Sequence, residues 1–374
     1  MKLKKNKKLF VASVAIAAMS SCGKKDSDDT TATNADGSTK LETLSNPAQL
    51  GVSTALKVSL PAAYAGSSST SLLAGKRSQE ACLMGESIRS VKQSMDSIRS
   101  FFCHIEVEKD KLVFGTKTKI TSKGQEFGRI WVDNSQAASG LIAVYMCQDG
   151  ALKEAIKLTG VKMGSDGKPT GMKGTVVHKG SDSSQSWASN VTFDKGFTAA
   201  NLQVTAQEKY SQTGSNGGSF AREVKMTLQD VSTEVSTVSV SSKGSWGGSE
   251  FSQKGYGKGA SDFGQALFTN AGKDGSNQTF SWTKRSYFDK DGIVAAATAS
   301  SLFGEAGSLY VKTTDLPEYL ATTFAPDAPS GWDCSGADTT VDLNPESDAH
   351  KACEVKQSSN PQCWGSEFEG SQAL

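Results

Sequence analysis

Over 374 residues, 40 lysines and arginines nearly balance 39 aspartates and glutamates, and a net charge of +1 argues against a nucleic-acid or anionic-surface partner held by bulk charge. With 37 glycines and a hydrophobic fraction of 37%, the composition suits a turn-rich β protein better than a helical enzyme. No apolar stretch reaches the ~20 residues that a membrane-spanning helix needs.

The chain starts with Lys2, Lys4, Lys5, Lys7 and Lys8, followed by an apolar run from Leu9 to Ala18. A charged start, a short apolar stretch and small residues before a cut are the marks of an export signal. The run ends Met19-Ser20-Ser21-Cys22, and there it resembles the signal peptide of a bacterial lipoprotein. That family most often has Leu three residues before the cysteine, where this chain has Met19. The resemblance covers residues 1–22 only. It implies cleavage before Cys22, lipidation of its sulfur by diacylglycerol and acylation, such as palmitoylation, of the new amino group. Gly23-Lys24 follows in place of the Asp that retains family members at the inner membrane, which implies the outer membrane. The implied membrane contact runs through that lipid, and no activity comes with it.

Cysteine parity agrees with this reading. Of seven cysteines, setting Cys22 aside leaves Cys82, Cys103, Cys147, Cys334, Cys353 and Cys363, an even set that suits a disulfide framework in an oxidising compartment. Residues 22–45 are polar and nearly free of large apolar side chains, so they read as a disordered tether. The Asp26, Asp28 and Asp29 cluster within it has neither the spacing nor the distal Glu of an EF-hand loop.

A body of one helix and a large sheet is expected over residues 46–323. From Ser78, a candidate N-cap, to Phe102 the period is helical, and Met84, Ile88, Val91, Met95, Ile98 and Phe102 form one apolar stripe fit to cover a sheet. Period-two alternation follows. Leu112, Phe114 and Ile120 alternate in a strand expected over 111–120, then Ile130 and Val132, Leu202 to Ala206, Val224 to Leu228, and Phe280 with Trp282. Leu141 to Cys147 is apolar on both faces and reads as a central strand beneath the helix.

Turns are expected at Gln148-Asp149-Gly150, Ser165-Asp166-Gly167, Ser215-Asn216-Gly217-Gly218 and Asp289-Lys290-Asp291-Gly292. The fold class is therefore mainly β: a large antiparallel meander curling into an open or closed barrel, with the amphipathic helix packed on it. A transmembrane barrel is disfavoured, because many outward positions are Ser, Lys or Gln and the chain lacks a terminal aromatic.

Residues 324–374, with Pro326, Pro329, Pro345, Pro361 and three cysteines, read as an irregular tail docked on the body by disulfides. Parity requires an odd number of bridges between body and tail if all six cysteines pair. One helix would separate Cys82 from Cys103 by about 30 Å, so those two should not bond each other. The expectation is that Cys147 bonds one of them and the other reaches the tail.

Catalytic motifs are missing. The three histidines, His104, His178 and His350, read as structural. Zinc is not expected at His350, since export commits Cys353 to a disulfide. No G-x-S-x-G elbow occurs, and Gly255-Tyr256-Gly257-Lys258-Gly259 has the wrong spacing for a phosphate loop. Neither catalytic residues, a metal nor a cofactor is assigned. Glycine alternates with Trp246, Phe251, Tyr256, Phe263 and Phe268, which makes these five the candidate ligand-binding residues. The expected function is a non-enzymatic outer-membrane lipoprotein that binds an envelope protein or an apolar ligand. A surface adhesin or carbohydrate-binding module is the alternative, and an envelope-polymer hydrolase comes third.

Overall fold

The computed structural model describes residues 33–35, 37–56, 77–166, 168–197, 202–213, 217–228, 235–260, 262–289, 296–320, 333–355 and 368–369. The signal segment, Cys22, the Asp26 to Asp29 cluster, parts of three expected turns (Gly167, Ser215 with Asn216, and Lys290 to Gly292) and Cys363 lie outside these residues.

Alternation of apolar and polar residues generates a run of twelve strands: β2 (Lys117–Ser122), β3 (Gln125–Asp133), β4 (Ile142–Gln148), β5 (Ala151–Met163), β6 (Pro169–Ser181), β7 (Gln185–Lys195), β8 (Leu202–Gln212), β9 (Gly218–Leu228), β10 (Ser236–Trp246), β11 (Ser249–Gly259), β12 (Phe263–Lys273) and β13 (Thr279–Asp289). Each pairs antiparallel with the next in sequence order. A thirteenth strand from the tail, β14 (Thr339–Asp342), adds parallel to β2 at the far edge. The sheet does not close: β13 and β14 are its two edges. At the β4–β5 hairpin, Asp149 and Gly150 both adopt positive φ (53° and 73°), the handedness that matches the twist of the flanking strands.

The stripe forms a helix, α2 (Gln79–Val107), after a short first helix α1 (Val52–Ala55) and a two-residue strand β1 (Arg77–Ser78). Met84, Ile88, Val91, Met95, Ile98 and Phe102 are all buried in the main core. Ile105 continues the same stripe and is buried too, so the helix runs past Phe102. In consequence β2 begins at Lys117 and not at Lys111, and Leu112 and Phe114 belong to the connecting segment.

Helix α2 crosses the strands. β1, at its N-terminus, lies against β13. Ser90 hydroxyl donates to Glu208 on β8 (2.9 Å) and accepts from Arg222 on β9 (3.0 Å). Phe101, His104 and Ile105 reach β2, β3 and β4. A rise of ~1.5 Å per residue carries the helix ~18 Å from Ser78 to Ser90. Four strand spacings, β13 to β9, are ~19 Å. The two repeats keep step over β9 to β13, while α1 meets β6 and Leu41, Leu44 and Leu50 join the same core.

β4 is not central; it stands fourth from the β14 edge. Its two apolar faces have separate partners. Ile142 and Val144 enter the main core, whereas Ala143, Tyr145 and Cys147 form a second cluster with Ala155, Trp131 and Cys334 on the outer face. The tail thus covers the outside of this strand.

Two further expectations change. Leu41 and Leu44, in the stretch read as tether, are buried in the main core, and Thr39 bonds the Val161 carbonyl from its backbone N–H (2.7 Å), so docked chain begins before Ser45. After Asp289 the next described element is a helix, α3 (Ala296–Phe303). The tail is not wholly irregular, since it supplies β14 and a fourth helix, α4 (Asp348–Cys353).

Replacing Met95 by Ala at the centre of the stripe is expected to cost about 2–5 kcal/mol of unfolding free energy in urea melts. Ser97→Ala, on the exposed side of the same helix, should stay within about 0.5 kcal/mol.

Candidate functional site

The last turns of α2 and the tail enclose an apolar cavity against the β2–β4 end of the sheet. Its volume is about 330 Å³, within the range of small-ligand sites. Phe101 and Ile105 of α2, Leu112, Ile120 of β2, Ile130 of β3, Met146 of β4 and Leu343 of the tail line it, together with His104, His350, Pro345 and the polar Ser122, Arg129 and Gln148. Phe127 stands at the rim and is 47% exposed, an apolar side chain at the mouth.

Two disulfides hold the tail in place. Cys103 near the end of α2 bonds Cys353 at the end of α4, and Cys147 of β4 bonds Cys334. Cys82 is also disulfide-bonded. The expected bond between Cys147 and Cys82 or Cys103 does not form. Cys147 shares the outer face with Ala143 and Tyr145, turned away from α2 by the two-residue period of the strand. Arg129 guanidinium strengthens the outer clamp by donating to the carbonyls of Cys334 (2.8 Å) and Gly336 (3.2 Å).

A buried polar relay sits behind the cavity wall. His104 and His350 face each other through their Nδ1 atoms at 2.8 Å, and His350 Nε2 lies 2.8 Å from Glu108 Oε1. Lys111 pairs with the same carboxylate at 2.8 Å. With Glu108 ionised, His350 Nε2 donates to it, and a single proton serves the Nδ1···Nδ1 contact. If both rings carried a second proton, N–H would oppose N–H and the contact would break. Burial, and then His350 beside it, hold His104 below the usual histidine value. Burial pulls Glu108 upward, but hydrogen bonds from Lys111 and His350 outweigh it and keep the carboxyl below its usual range. His350 thus spends both ring nitrogens on His104 and Glu108. Among the described residues, no three His, Cys, Asp or Glu side chains gather as a metal cluster.

The five aromatics singled out by sequence do not converge. Phe268 is buried in the main core, and Trp246 and Phe251 share its face of the sheet farther along the strands. Tyr256 and Phe263 lie on the opposite face with Leu267, where the segment through Leu309 and Val311 packs. Burial pushes the Tyr256 phenol up, against a hydrogen bond with Thr237. His178, read as structural, is half-exposed on β6, 3.4 Å from the Trp187 indole nitrogen. Sequence reasoning missed the relay, because 246 residues separate His104 from His350. The one usable signal was that each histidine lies within three residues of a cysteine.

No protein-family model, no curated protein and no solved structure is significantly similar to this chain.

A depressed histidine favours the neutral form in the folded state, so its contribution to stability is full above 6.5, the ordinary histidine value, and falls as pH drops through the folded value. Urea midpoints should therefore decline as pH falls below 6.5, with the decline reduced in His104→Asn. An identical decline in the variant would remove His104 as its source.

Proposed function

We propose that this chain is a non-enzymatic lipoprotein, anchored at the outer membrane through Cys22, that holds an apolar ligand such as an acyl chain in the cavity beneath its tail. The observation that carries this reading is the cavity itself: about 330 Å³, walled mainly by aliphatic and aromatic side chains, and roofed by a covalently fastened tail. Apolar ligands enter such sites by shedding water from matched surfaces, at about 25 cal/mol per Å². The exposed Phe127 at the mouth gives an approaching chain its first apolar contact.

Cysteine usage supports the anchor. Four cysteines form the two described bridges and Cys82 is bonded as well, and setting Cys22 aside for lipid leaves an even six. The relay of His104, His350 and Glu108 fits a structural part, because His350 spends both ring nitrogens and Glu108 both carboxylate oxygens on fixed partners.

Native mass spectrometry of the purified protein should show a co-purifying apolar molecule, and Leu112→Trp, which fills the cavity, should lower its occupancy at least tenfold. An empty wild-type chain that also fails to take up added fatty acid would contradict the ligand. Cys22→Ala should remove the acyl mass and release the protein from membranes, and unchanged retention would contradict the anchor.

A further inference from the structure

A second surface lies on the core-bearing face of the sheet, toward the hairpins that join β6 to β7, β8 to β9, β10 to β11 and β12 to β13. One row of register partners crosses eight strands there: Gly180, Trp187, Tyr210, Phe220, Gly244, Phe251, Gly272 and Phe280. Every position is glycine or aromatic, although Gly, Phe, Trp and Tyr together make under a fifth of the chain. The row runs across the strands and extends ~34 Å along the sheet at ~4.8 Å per strand.

The glycines set the ring planes. A Cβ on Gly180 would fall 2.3 Å from the Trp187 indole, so that ring lies over the Gly180 backbone. A Cβ on Gly244 would fall 2.9 Å from the Phe251 ring. Trp187 remains 40% exposed, and Trp246, one step outward, 44%. Tyr210 and Trp246 stack with centroids 6.1 Å apart and planes 16° apart. Rings laid flat on backbone offer their remaining faces outward as platforms.

Polar side chains flank the row on both sides. Gln185 pairs with Gln212 on the outer side, and Ser189 and Gln253 lie on the inner side in the register row of Glu208 and Arg222, which neutralise each other at 2.5 Å. An acyl chain needs no amides and an anionic polymer would need free cations. An uncharged chain with flat apolar faces and hydroxylated edges matches both the rings and their borders.

We infer that this row is the track for a linear, neutral, β-linked polysaccharide, whose sugar rings stack on the aromatic platforms while their hydroxyls meet the flanking amides and serines. The strand spacing brings a platform under nearly every sugar or every second one. The site is separate from the cavity beneath the tail.

The full chain carrying Cys22→Ala, which has no lipid of its own, tests this by co-sedimentation with chitin and with cellulose particles. Depletion isotherms should show binding to at least one of them. The triple variant Trp187→Ala, Tyr210→Ala, Trp246→Ala should weaken it at least tenfold. Trp187→Phe with Trp246→Phe, which keeps the platforms, should retain most of it and so separates loss of stacking from loss of fold. Leu112→Trp should leave it unchanged. Failure to bind either polymer, or equal binding by the triple variant, overturns the inference. So does binding to phosphatidylcholine vesicles that the triple variant loses, which would make this face a membrane contact.

Discussion

The apolar face of a twelve-strand open meander has to be covered along its width, and α2, with the N-terminal segment from Leu41 to Leu56, is what covers it. A closed barrel would bury that face by curling on itself, but here the sheet keeps two edges. The helix therefore runs across the strands, its rise per turn keeping pace with the strand spacing, and one stripe from Met84 to Ile105 meets strand after strand. Each buried Ile, Val, Met or Phe of the stripe contributes about 1.5–3 kcal/mol of transfer free energy. The Ser90, Glu208 and Arg222 bonds fix where along the sheet the helix sits, since polar partners at mid-sheet tolerate no sliding. The cost of placing those groups inside is offset by their pairing with one another.

Where α2 ends, the cover is completed by a different device. Its last turns leave the β2–β4 corner partly open, and the tail comes back to close it. β14 adds to the β2 edge, Cys103–Cys353 ties α4 to the helix, and Cys147–Cys334 ties the tail to the outer face of β4. The same strand is thus gripped on both faces. The cavity is the space left between two covers that meet without filling it. The histidine relay stands at that junction, with His104 from the helix and His350 from the tail. The glycine–aromatic row lies toward the hairpin ends, and Trp187 and Trp246 stay exposed there.

Much of the fold was legible because it rests on local periodicity. The stripe, the alternating strands and their sequential pairing all follow from spacings of three to four or of two. The helix end was misjudged because Ile105 follows Phe102 by three residues and extends the same stripe. The disulfide pairing was misjudged through a signal that was present. Cys147 alternates with Ile142 and Val144, so it had to face away from the helix that its expected partners occupy. The candidate aromatics were chosen by closeness in sequence, which mixes the two faces of a strand. The row that the structure assembles instead draws one residue from each of eight strands, and only register, a long-range property, reveals it.

The account stands on the tail being fastened over the end of α2 and over β4, for without that the cavity has no roof. Peptide mass spectrometry of the oxidised, non-reduced protein measures this directly. The predicted result is Cys103-containing peptides linked to Cys353 and Cys147-containing peptides linked to Cys334. A Cys103–Cys147 bond, or free thiols at Cys334 and Cys353, would leave the tail unfastened and contradict it.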